Sequence, residues 1–150
     1  MVALLSALFV LDFSELYLRE HSRRLLEYAT IVAFTTFFML LLVSATHVMS
    51  LFLSLVGFSL GLYVLIMYDA SLAPSREAGL KYYYLSALSS GLILYGLILL
   101  YITGATGSFS ELFVLFSTNL PSKSLLLACT ATLITIIGFF FKLSAVPGHL

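Results

Sequence analysis

Charge is scarce in this chain: 9% of its 150 residues are charged, against 61% that are hydrophobic, and the mean hydropathy is +1.12. That balance excludes an ordinary soluble domain, where roughly a quarter of residues are charged. Seven basic and seven acidic residues cancel to a net charge of zero, so no basic face is left for nucleic acid. Cysteine occurs once, as Cys129. A single thiol makes no internal disulfide and no cysteine metal cluster, and in an apolar helix it reads as a small packing residue. Internal repeats, low-complexity tracts and linkers are missing. So are a Ser/His/Asp arrangement and a haem pair. Gly104–Ser108 is glycine-rich but lacks the lysine and spacing of a phosphate loop.

What remains is a series of apolar runs separated by short polar stretches. This is the pattern of an all-α, polytopic transmembrane protein, because a span needs about 20 apolar residues. Residues 1–11 are apolar but short, with no basic stretch ahead of them and no small-residue cleavage site before Asp12, and they read as half a span. Residues 12–27 are charged and read as a loop, helical in part. Full spans are expected at about 28–45, 48–68, 80–103 and 122–147, all within a single membrane domain covering 1–150. Thr46-His47 marks a tight hairpin. Ser50, Ser54, Gly57 and Gly61 share one face of the second span, and Gly57/Gly61 form a GxxxG pair that suits close helix packing. Residues 69–79 are a loop with Pro74, and Ser75-Arg76-Glu77 looks like a helix start. Residues 104–123 read as a connection, with Gly104, Gly107, Asn119 and Pro121 as turn signals. Arg19, Arg23, Arg24, Arg76 and Lys81 fall on one side of the four spans and Lys123 alone on the other. The first side is therefore expected to face the cytoplasm or its mitochondrial equivalent, the matrix.

The last apolar run carries one charge, Lys142, and five residues later it meets Pro147. A lysine in hydrocarbon costs about 2.5–3.5 kcal/mol, and such residues mark proton or ion paths. Proline breaks the helix, and in a membrane the freed carbonyls must find protein or water. The pair therefore predicts a discontinuous helix lining a polar path. Lys142 can hold and release a proton as neighbouring charge moves. The bland alternative is a lysine at a helix end that snorkels to the far interface, since Lys142 lies about 20 residues from the start of its span. His149 titrates near neutrality and follows the break. Lys81 lies near the inner boundary of its span, where lysine is ordinary. His47 and His21 read as solvent-facing. Serines and threonines in the spans read as satisfying backbone carbonyls.

Two segments resemble a known family. Ser75-Arg76-Glu77-Ala78-Gly79-Leu80-Lys81-Tyr82, followed by Ser89-Ser90-Gly91, Tyr95-Gly96 and Tyr101-Ile102-Thr103-Gly104-Ala105-Thr106-Gly107, resembles the EAGLKY…SSG…YG…YGxTG run of subunit 2 of respiratory complex I, the proton-pumping NADH:ubiquinone oxidoreductase. Gly138–Pro147 resembles that subunit's GFxFKxSxVPFHxW segment. The likeness covers most of residues 28–150 and extends in outline to the wider antiporter-like superfamily. It implies a proton-holding role for Lys142, an entry-side role for Lys81, and a continuation of the polar axis at His149. Two positions depart from the family. Val56 stands where the family has a membrane glutamate, and Gly148 where it has phenylalanine.

The resemblance implies a membrane-arm fragment contributing to proton translocation coupled to quinone reduction, within an enzyme whose redox chemistry lies on other subunits. No redox cofactor is expected in this chain. Its expected partners are other complex I membrane-arm subunits, membrane lipids and a second chain supplying further C-terminal helices, with no nucleic acid. Its expected location is the mitochondrial inner membrane. Two other functions fit the same residues: a subunit of a cation/proton antiporter, and a structural membrane fragment that conducts no protons, which Val56 favours.

Overall fold

The computed structural model describes residues 2–20, 25–69, 71–104, 106–117 and 122–143. Pro147, Gly148 and His149 lie outside them, as does His21. Among the described residues the regular elements are all helices: α1 (Val2–Glu20), α2 (Leu25–Val43), α3 (Val48–Ile66), α4 (Ala73–Gly104), α5 (Phe109–Ser117) and α6 (Ser122–Lys142). Four of these, α2, α3, α4 and α6, are long and apolar enough to cross a membrane. Their outer faces are apolar, with Leu26, Val43 and Phe140 among the exposed side chains. The chain groups into two compact units, residues 1–44 with 54–80 and residues 45–53 with 81–150.

In the first unit α1 packs against α2. The expected half-span and loop are one helix, with residues 12–20 continuing it. Neither glycine nor proline interrupts Val2–Glu20, and Leu and Glu favour helix. The rings of Phe9 and Phe13 meet one turn apart in a tilted pair, with centroids 4.6 Å apart. The Ser14 hydroxyl donates to the Val10 carbonyl and lies 3.2 Å from the Tyr28 hydroxyl on α2. On α3, Gly57 sits against the Phe38 ring and Gly61 against Thr35, both on α2, so the GxxxG pair is a packing contact. The turn after α3 is closed by Ser75, whose hydroxyl donates to the Ile66 carbonyl at 2.6 Å. Helix α4 starts at Ala73, two residues before the expected Ser75. Pro74 fits there because a first-turn residue has no intrahelical acceptor for its N–H.

In the second unit the turn before α3 meets the turn after α4. Val48 N–H donates to the Gly107 carbonyl at 2.8 Å, and Phe109 N–H to the Thr46 carbonyl at 3.2 Å. The expected connection 104–123 contains a helix, α5. Ser108-Phe109-Ser110-Glu111 has the S-x-x-E pattern of a helix start. Glu111 falls in the first turn of α5, where a carboxylate is favourable, and its carboxylate accepts from the Thr106 hydroxyl. Leu112 buries the inner side of α5. Nine residues are too few for a span, so hydropathy alone passes over this element.

Candidate functional site

The site begins with two glycines that let α4 and α6 approach closely. A Cβ on Gly138 would fall 2.7 Å from Ile93 Cγ1 and 2.9 Å from the Ile93 nitrogen. A Cβ on Gly96 would fall 2.8 Å from the Thr135 nitrogen and 2.9 Å from the Ala131 carbonyl. These neighbours include backbone atoms, so only glycine fits at this separation. Ile93, Leu97, Ala128 and Ala131 are buried around the contact.

The two contacts also fix the register. Gly138 lies opposite Ile93 and Thr135 opposite Gly96, so α6 runs antiparallel to α4. One turn further along α6 comes Lys142, level with Ser89 and Ser90. Its Nζ donates to Ser90 Oγ at 3.1 Å, and the side chain is half-buried. Ser90 lies near the middle of the 32-residue α4. Lys142 is the last residue of α6, and its side chain reaches across to α4 near that helix's middle.

Most hydroxyls in the spans turn back on their own helix. Thr35, Thr36, Ser59, Thr132 and Thr135 donate to carbonyls four residues earlier. Ser89 is fully buried and donates to the Ser86 carbonyl at 2.9 Å. Ser90 differs in accepting from another helix. The sequence alone read the serines of the spans as satisfying backbone carbonyls and did not link Ser90 to Lys142. The missing signal was register, which the spacing of Gly96 and Gly138 carries only once the two helices are known to be neighbours.

The acids near this contact are few. Residues 45–53 and 81–150 contain one acidic side chain, Glu111, which is engaged with Thr106 beyond the end of α4. Lys81 lies on α4 and is exposed. It precedes Ser90 by nine residues, which is about 14 Å of helix rise, so Lys142 and Lys81 are not brought into contact. Val56 is half-buried on α3 in the first unit. Among the described residues no three His, Cys, Asp or Glu side chains converge as a metal site.

Together these features define a class, a polytopic helical membrane protein in which, among the described residues, a half-buried lysine at the end of one span bonds to a neighbouring span. The particular family follows from comparison with known proteins. A family model described as NADH:quinone oxidoreductase/Mrp antiporter, transmembrane, matches residues 45–150, and the chain belongs to that family. Among curated relatives, NADH-quinone oxidoreductase subunit N of Paramagnetospirillum magneticum is 40% identical over 136 residues, covering 89% of this chain and 28% of the relative. Subunit N 1 of Rhizobium meliloti is 42% identical over 125 residues, covering 83% and 25%. Subunit N of Rhodospirillum rubrum is 37% identical over 150 residues, covering 99% and 30%. The chain thus spans under a third of the length of the curated relatives it matches.

Proposed function

We propose that this chain forms part of the membrane arm of an NADH:quinone oxidoreductase and takes part in proton translocation driven by quinone reduction elsewhere in the complex. The observation that carries this reading is the half-buried Lys142 ammonium, hydrogen-bonded to Ser90 near the middle of α4. A charge drawn from water into an apolar bundle carries a cost that packing alone does not repay. As a proton carrier it has a use: it binds a proton when nearby negative charge draws close and releases it when positive charge arrives. Lys81 is the entry-side group and His149 the continuation beyond Pro147, both supported by the motif resemblance. The gap of about 14 Å between the levels of Lys81 and Ser90 needs bridging water.

The names of the relatives support other subunits of an NADH-quinone oxidoreductase as partners. Lipid suits the exposed apolar faces. The redox groups belong on those other subunits, since one cysteine cannot ligate a cluster. The remaining helices of an antiporter-like unit lie either further along this chain or on a second one. The bacterial sources of the relatives support a plasma membrane, whereas the mitochondrial inner membrane rests on an expected division of the subunit between two chains. The native mass of this polypeptide in the purified complex decides whether the subunit is divided, and fractionation of the source cells decides the membrane.

Two other readings are carried by particular observations. Val56, in place of a membrane glutamate, favours a structural fragment that conducts no protons. The family description also covers Mrp antiporters, a reading that fails if flavin and iron–sulfur proteins co-purify. The deciding test of the proton role is Lys142→Ala in the intact complex, with NADH-driven proton uptake measured in inverted membrane vesicles. Pumping is expected to fall at least about tenfold, a loss of about 1.4 kcal/mol, with the complex still assembled on a native gel. Unchanged pumping overturns the reading and leaves the structural fragment.

A further inference from the structure

We propose that Ser90 is a positioning residue for Lys142, its hydroxyl holding the ammonium at the middle of α4 in place of a carboxylate counter-charge. This rests on the proton-carrier reading of Lys142 and adds the group through which that lysine is held.

Three observations carry it. Ser90 Oγ is 3.1 Å from Lys142 Nζ, a normal hydrogen-bond distance. The lysine donates, so the serine hydrogen stays available to a water or a further acceptor, and Ser90 supplies a bond without an opposing charge. Second, the hydroxyls of Thr35, Thr36, Ser59, Ser89 and Thr135 donate to carbonyls of their own helices, as isolated hydroxyls in apolar helices do. Ser90 is instead engaged across to α6. Third, this unit contains one acidic side chain, Glu111, and it is occupied by Thr106. Ser90 is therefore the partner that the described residues offer the ammonium.

The chemistry of the pairing suits a group that must let its proton go. An ammonium paired with a carboxylate in low dielectric is strongly held, because the Coulomb attraction rises as the dielectric constant falls. A neutral hydroxyl orients the ammonium and replaces part of its lost hydration, with a far smaller field. The Gly96 and Gly138 contacts set the distance: without that close approach the lysine stem would have to bridge a wider gap.

The test uses Ser90→Thr, Ser90→Val and Ser90→Ala in the intact complex, each alone and with Lys142→Ala. Valine and threonine match in shape but differ in the hydroxyl. Complex abundance on native gels and proton uptake per NADH oxidised are the readouts. Ser90→Val and Ser90→Ala are expected to lower proton uptake per NADH about tenfold, and Ser90→Thr to stay within about twofold of the parent. On the Lys142→Ala background the three are expected to be indistinguishable, because the group they act through is gone. Threonine and valine behaving alike, in loss or in retention, overturns the proposal. So does a Ser90→Ala complex that fails to assemble, since the hydroxyl is then structural. If Lys142→Ala abolishes pumping while Ser90→Ala leaves it intact, only the Ser90 role fails. If Lys142→Ala itself leaves pumping intact, the proposed function fails first.

Discussion

Two helix contacts in this chain are built from the same material to different ends. In the first unit Gly57 and Gly61 of α3 lie against α2. In the second, Gly96 of α4 and Gly138 of α6 lie where those helices meet. Both are small-residue contacts of the kind membrane helices use. At Gly57 the neighbour is the ring of Phe38, a side chain that can turn. At Gly96 and Gly138 the neighbours include the backbone nitrogens of Thr135 and Ile93, which can yield only if the helices part. A turn beyond Gly57 lies Ser54, a buried neutral hydroxyl. A turn beyond Gly138 lies Lys142, the charge in the last span. A glycine stripe thus sets a distance between helices, and the residue carried to that distance determines whether the contact does chemistry.

The contrast can be broken by substitution. The largest effect is expected from Gly138→Ala and Gly96→Ala. Forcing a methyl group into these contacts costs about 1–3 kcal/mol and draws Lys142 away from Ser90. Heat stability of the assembled complex on native gels and proton pumping should fall together. Gly57→Ala should cost less, about 0.5–1.5 kcal/mol, the strain of a displaced ring, with pumping per assembled complex unchanged. Equal losses at the two sites would erase the distinction drawn here.

The comparison is sharpened at the end of α4. Removing the carboxylate in Glu111→Ala loses the Thr106 bond and a favourable first-turn charge, about 1 kcal/mol in all. Amide exchange over 109–117 should quicken while pumping holds. Lost pumping would mean that the clasp around α5, and not the glycine contact, maintains the α4–α6 register. The smallest effect is expected at Gly91, beside Ser90, where an added Cβ meets nothing within 4 Å. Gly91→Ala should be neutral or stabilise α4 by up to about 1 kcal/mol, read as unchanged or raised heat stability of the complex.

Much of the fold was legible because lipid-spanning helices announce themselves by length and hydropathy. The spans at α2, α3, α4 and α6, the hairpin at Thr46-His47, and the packing role of Gly57/Gly61 all follow from such local signals. Charge misled at α1, where Asp12 and its polar successors suggested a loop although nothing in residues 12–20 breaks a helix. At α5 glycines and proline nearby suggested a connection, and the S-x-x-E start at Ser108 was the signal passed over. The candidate site was half legible. Lys142 stood out as a lone charge, while Ser90 looked like any hydroxyl in a span.

By itself, then, the sequence determined a helical membrane protein, its spans, and the residue whose burial is hardest to explain without a function. Those properties depend on composition and periodicity along one helix, and each residue contributes to them independently of distant ones. Tertiary structure alone decided where the Lys142 ammonium goes. Its partner lies 52 residues away in the chain, and only the glycine-set register of α4 against α6 selects Ser90 from the hydroxyls along the span. Hydropathy reports whether a helix is buried in lipid. It carries no information on which neighbour the helix meets or at what level, and for a single charge in an apolar bundle that level determines what the charge can do.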